Sequence, residues 1–303
     1  MTDPANHWQH QFIQTNKIRL HCVTQGEGEL VILLHGFPEF WYAWRFQIPA
    51  LARYFKVVVP DLRGHNDSDK PASGYDLSTL AADVLGLIQA LGYEKAYIVG
   101  HDCGGLLAWH LAQKFPQVVQ RLAVLNAPHP DRLLRDWLGN LEHLSRNWYL
   151  FALQVPGLPE YLIRHNLRRF LQDWFGQHSI RKAAFSSETM QIYQSALEKA
   201  GSLAAVLHYC RDLLSPPTWL PQLLRQPKPI AIPTLVLWGK EDNLFSPALT
   251  EGLERWVSAP FKLKVLPECG HWAQQEVPGI VNREILDFFR QGMGSTPFQL
   301  SFT

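Results

Sequence analysis

Cysteine is scarce in this chain, four residues in 303. Cys22, Cys103, Cys210 and Cys269 stand far apart with no C-x-x-C, which excludes a zinc knuckle and a disulfide framework. Isolated thiols fit a reducing compartment, and a cytoplasmic protein is expected. Long apolar runs are missing too: no stretch reaches the roughly 18 residues a membrane helix needs. Residues 1–14 hold Asp3 and several His and Gln but no apolar signal core, so export is not expected. An excess of one charge is also lacking. A formal net charge of +1 offers no field for nucleic acid or an acidic membrane, and the basic run 164–169 reads as a solvated helix face. Among 13 histidines there is no H-E-x-x-H or other metal-ligand spacing, so neither a metal nor a cofactor is expected. The oligomeric state leaves no mark on the sequence.

Apolar residues, in contrast, are plentiful: 47% hydrophobic and 12% aromatic, enough for a large core and an apolar pocket. The first part of the chain alternates β and helical patterns. Strands are expected at 11–15 and 18–23 around Asn16-Lys17, and at 30–34, 56–60, 96–100 and 122–125. Helices are expected at 46–54 and at 78–91, the latter with Ser78 as N-cap. From 130 to 227 the β runs stop, and helical patterns occupy 131–140, 141–153, 160–174, 187–200 and 202–214. Buried strands return at 234–238 and 262–266, and an amphipathic helix follows at 277–289. The expected architecture is α/β: a mostly parallel central sheet with helices on both faces. Its core comes in two pieces, 1–129 and 228–303, around an all-helical lid at 130–227.

One stretch organises the rest. Ala96 to Val99 leads into Gly100-His101-Asp102-Cys103-Gly104-Gly105, and an apolar helical pattern follows at once. This is the layout of a nucleophile elbow, a tight strand-to-helix turn that holds one side chain out of the end of a sheet. The central residue is Asp102, with Cys103 one place too late to be the nucleophile. A carboxylate is already ionised at neutral pH, so it can displace a leaving group at saturated carbon, leaving an ester that must then be hydrolysed. Asp242 follows strand 234–238, and His271 follows strand 262–266. Ligands gather at the carboxyl ends of parallel strands, and the chain order nucleophile, acid, histidine suits Asp242 holding His271 as base. Taken singly, each would be an ordinary loop residue; three at matching positions point to catalysis. Asp131 is the second candidate for the acid, although its place at a helix start reads better as an N-terminal carboxylate. His101 and His129 read as packing residues.

These segments, with His35-Gly36-Phe37-Pro38-Glu39, Trp41 to Arg45 and Asp61 to Ser68, resemble the soluble epoxide hydrolases of the α/β-hydrolase fold over about residues 11–289. The resemblance implies two lid tyrosines that hold the epoxide oxygen. Tyr149, five residues before Gln154-Val155-Pro156-Gly157, and Tyr209, in Tyr209-Cys210-Arg211, match the family's segments, with Tyr193 or Tyr161 as substitutes for Tyr209. It also implies an oxyanion hole from the backbone amides of Phe37 and Cys103, with a cis Pro38 aiming the former. The lid residues Trp148, Phe151 and Leu153 would line a pocket for a small apolar epoxide. Haloalkane and haloacetate dehalogenases share part of these motifs and are the alternative. They usually carry Trp or Arg where Cys103 stands, and often Asn where Phe37 stands. Epoxide hydrolases also commonly have Trp at the Cys103 position, so the pocket wall here is smaller. A non-catalytic binding protein on the same scaffold is a third reading, which the intact triad disfavours.

Overall fold

The computed structural model describes residues 8–139, 152–213 and 228–291. The chain opens with a hairpin of β1 (Gln9–Thr15) and β2 (Ile18–Gln25). Its turn residues Asn16 and Lys17 both have positive φ, 36° and 63°, as a two-residue turn needs to match strand twist. Then come β3 (Leu30–Leu34), the short helix α1 (Gln47–Leu51), β4 (Lys56–Pro60), α2 (Leu77–Ala90), β5 (Ala96–His101), α3 (Asp102–Lys114) and β6 (Val119–Leu125). The N-cap of α2 is Asp76, not Ser78: its carboxylate accepts from the amides of Ser78 and Thr79 and so satisfies two orphan donors of the first turn.

Between β6 and the next strand the described residues are helical. They form α4 (Pro130–Gly139), α5 (Leu158–His165), α6 (Leu167–Gln177), α7 (Ser187–Glu198) and α8 (Ser202–Leu213). The helix expected at 160–174 is two, broken at Asn166, and the one expected at 141–153 lies almost wholly outside the described residues. The chain closes with β7 (Thr234–Gly239), β8 (Phe261–Leu266), α9 (Ala273–Glu276) and α10 (Pro278–Arg290).

The eight strands form one sheet in the order β1-β2-β4-β3-β5-β6-β7-β8. β2 runs antiparallel to β1 and β4, and the remaining pairs are parallel. β3, β5 and β7 are buried along their whole length, as strands covered on both faces must be. β8 differs from the buried strand expected there. It is the edge, its Lys262 and Lys264 point outward onto Glu284 of α10 at 2.8 and 2.6 Å, and only Leu266 is buried. Alternate side chains feed two cores. Val31, Leu33 and Val99 join one with α1, α10 and the helices after β6, while Ile32, Leu34 and Ile98 join the other with α2 and α3. The chain steps from β3 outward to β4 and then back across to β5. The switch point thus lies between β3 and β5, where such sheets open a crevice at their carboxyl ends.

Candidate active site

The loop after β3 and the turn after β5 meet at that crevice. Asp102 has φ +50°, a left-handed conformation that is uncommon outside glycine. Its neighbours make the strain possible. A Cβ on Gly104 would run into the Leu34 and His35 carbonyls, and one on Gly36 would lie 2.6 Å from the Asp102 Cβ. Asp102 is 4% exposed, and its Oδ2 accepts the Phe37 amide at 2.8 Å. The Phe37–Pro38 peptide is cis. The Cys103 amide belongs to the first turn of α3, whose unbonded N–H groups favour negative charge. Burial first, and the Asp102 charge second, push the Cys103 thiol well up. Cys210, on α8, is pushed to about 12 by the same two causes. Both are therefore neutral thiols beside Asp102, and neither is a nucleophile near neutral pH.

His271 is wholly buried. Its Nδ1 is 3.0 Å from Asp242 Oδ2, and its Nε2 is 3.9 Å from Asp102 Oδ1. Burial alone would lower the His271 pKa, but the Asp242 charge and hydrogen bond, with Asp102 and Glu39 behind them, outweigh it and raise the pKa above 6.5. Asp242 is fixed in turn. Its Oδ1 accepts the amides of Leu244 and Phe245 at 2.9 and 3.0 Å, and its Oδ2 accepts Asn126 Nδ2 at 2.8 Å. The acid on the histidine is thus Asp242; Asp131 instead gives its amide to His129 Nδ1.

The residues expected to face a substrate from the helical segment meet the structure unevenly. Trp148, Tyr149 and Phe151 lie outside the described residues. Leu153 is half-buried, and its carbonyl accepts Arg211 Nε at 2.8 Å. Tyr209 is buried against His65 and Tyr75, and its hydroxyl donates to the Arg63 carbonyl at 2.8 Å. Its one proton is thereby committed away from Asp102, and Cys210, the next residue on α8, is the one in the Asp102 field. Tyr193 is wholly buried against Phe40 and Phe175, with Gln275 beside its hydroxyl, whereas Tyr161 is 60% exposed. Trp174 of α6 packs its ring edge-on to Phe37 at 5.4 Å, so the helices after β6 roof the loop that carries the Phe37 amide.

A family profile described as alpha/beta hydrolase fold matches residues 29–278. Human epoxide hydrolase 4 is 34% identical over 287 residues, covering 92% of this chain and 78% of its own length. The AB hydrolase superfamily protein YfhM of Bacillus subtilis is 37% identical, covering 92% and 97%. Among solved structures, an epoxide hydrolase from Bacillus megaterium superposes with a TM-score of 0.82 at 30% identity, covering 92% of this chain and all of its own. Cfl2 from Burkholderia cenocepacia does so with 0.83 at 30%, covering 95% and 98%. This chain belongs to the α/β-hydrolase-fold epoxide hydrolases.

In this epoxide hydrolase, several residues around the triad were not singled out by their sequence. Glu39, 1% exposed, accepts from the Gly36 amide, from Gln274 and Gln275, and pairs with His101 Nδ1 at 2.9 Å. His101 Nε2 in turn meets the His271 carbonyl at 2.9 Å. A packing role for His101 therefore understates it: it links the loop after β3 to the backbone of His271. Glu276 holds the Gly270 and Trp272 amides on either side of His271, both at 3.1 Å. The only cue in sequence was the nearness of Glu39 and Glu276 to the motifs.

Proposed function

We propose that the chain hydrates a small apolar epoxide to a vicinal diol through an ester on Asp102. The observation that carries this is the line Asp242–His271–Asp102, with contacts of 3.0 and 3.9 Å, ending on a carboxylate already bound by the Phe37 amide. Asp102 attacks one epoxide carbon, the C–O bond opens, and the alkoxide takes a proton from a lid phenol. Such assistance typically contributes about 10²–10⁴-fold. Tyr149 fills that role, while Tyr209, expected as its partner, keeps its proton on the Arg63 carbonyl. His271 then deprotonates water, which attacks the Asp102 carboxyl carbon. The oxyanion settles on the Phe37 and Cys103 amides; its collapse expels the diol oxygen, which takes the proton held by His271, and the proton left on the Asp102 carboxyl returns to the lid phenolate. No cofactor enters the scheme. The helical segment 130–227 acts as a lid, with Trp148, Phe151 and Leu153 facing the substrate. Four free thiols suit work in the cytoplasm, and no helix of the described residues is long and apolar enough to cross a membrane.

The test is His271→Gln. Intact-protein mass should rise by the mass of one epoxide, because ring opening continues while ester hydrolysis stops. A protein that never gains that mass with any of a panel of terminal and internal epoxides overturns the scheme. Halide release from haloalkanes without diol formation from epoxides would assign the same triad to dehalogenation.

A further inference from the structure

The loop that carries His271 is fixed through three successive backbone amides. Glu276, at the end of α9 and 5% exposed, takes the outer two: Oε2 accepts from Gly270 and Oε1 from Trp272, both at 3.1 Å. The middle one, on His271 itself, donates to the His178 carbonyl at 2.8 Å. His178 lies just past α6, in the helical segment after β6. From that same segment the Ile180 and Arg181 amides also reach Glu276 Oε2, at 2.8 and 2.9 Å. One side chain therefore holds four amides, two from each of two segments far apart in sequence. Glycine permits the approach: a Cβ on Gly270 would lie 2.5 Å from the His178 carbonyl oxygen and 3.1 Å from the Ile180 nitrogen. Segment 177–181 is anchored on its other side by Asn243. The Nδ2 of Asn243 donates to the Gln177 carbonyl at 2.8 Å, and its Oδ1 is 2.6 Å from His178 Nδ1. The His178 ring packs edge-on to Trp174, the α6 residue over Phe37.

We propose that Glu276 is a positioning residue that ties segment 177–181 to the loop of His271, so that the seating of the lid sets the place of the imidazole. Four N–H donors call for two oxygens that only accept, which a carboxylate supplies and a side-chain amide does not. Backbone amides left unpaired away from water are costly. Lifting segment 177–181 takes the His178 carbonyl from His271 and leaves Glu276 two donors short, so the two segments open as one unit. A shift of α6 as it accommodates a substrate passes through His178 to the His271 backbone. It then changes the 3.9 Å between His271 Nε2 and Asp102 Oδ1. His271 acts in ester hydrolysis alone, so that step feels the link most; this consequence rests on the Asp102 ester proposed above.

The experiment uses the full-length chain with Glu276→Gln, His178→Ala and the double variant. His178→Ala removes the ring that reaches Asn243 and Trp174 and leaves the carbonyl that His271 uses. Amide exchange read by mass should quicken in peptides spanning 177–181 and 269–272 together, in both single variants. Glu276→Gln should slow rapid-quench ester decay at least about tenfold, and by more than it slows ester formation. Ester decay is first order in esterified enzyme, so a mere loss of folded protein would leave it unchanged. The effects of the two changes on that decay should fall short of additive, as for residues in one network. Wild-type exchange at 269–272 in His178→Ala, or strictly additive effects on ester decay, would overturn the link and leave Glu276 shaping its own loop. Exchange that quickens in both segments of a protein that forms no ester with any epoxide would uphold the link and sink the epoxide reading instead.

Discussion

Asp102 is held by its backbone: positive φ sets the side chain, and the Phe37 amide binds Oδ2, leaving Oδ1 for the attack proposed above. The same amide is placed to meet the oxyanion of the second step, so one donor serves both halves of the proposed cycle. Because His271 must be neutral to take a proton, ester hydrolysis should slow as pH falls through its raised pKa. Rapid-quench decay of the ester should give an apparent pKa above 6.5, while the rate of ester formation stays flat there. Asn126→Ala removes one donor from Asp242 Oδ2. A hydrogen bond to a charged group is worth about 1.5–3 kcal/mol, so ester decay should slow roughly 10–100-fold with ring opening spared. At this scale the sequence was legible where chemistry dictates residue type, as at Asp102, Asp242 and His271. Asn126, Glu39 and Glu276 were not, because a single polar residue in a loop looks the same whether it fixes a carboxylate or faces water.

Among the elements, α3 is bound closely to the strands beneath it, and glycine makes that approach possible. Gly104→Ala would press a methyl into the Leu34 and His35 carbonyls. Overpacking of this kind costs about 1–3 kcal/mol, and against backbone the upper figure is expected, read as a lower urea midpoint. A polar tie joins two of the helices after β6. Arg211 of α8 clasps Glu160 of α5 at 2.6 and 3.0 Å with side chains 13% and 16% exposed. Arg211→Met should loosen α5 first, seen as faster amide exchange across Leu158–His165 than in the sheet. The alternation of strands and helices was readable from apolar periodicity alone. The errors fell where tertiary context decides: the break at Asn166, the capping carboxylate of Asp76, and the edge position of β8, whose lysines gain Glu284 as a partner.

For the molecule as a whole, buried histidines set opposing pH dependences. Burial above all lowers His35 well below 6.5 and His65 to about 4. Between pH 6.5 and about 4 the unfolded chain binds protons that folded His65 refuses, so stability is full above 6.5 and drains away as pH falls through that window. His271 has the opposite sign: its contribution is complete below 6.5 and is lost as pH rises through its raised pKa. Urea midpoints measured from pH 4 to 9 should therefore fall steeply on the acid side, and His65→Gln should flatten that limb.

The strand order carries a longer consequence. The helical excursion departs after β6 and returns to β7, its immediate neighbour, while Asp102, Asp242 and His271 follow β5, β7 and β8. Ancestry could therefore redraw the roof while the engine beneath kept its timing. What such a protein accepts and how fast it resets are then separate inheritances, and a grafted roof should carry taste without tempo.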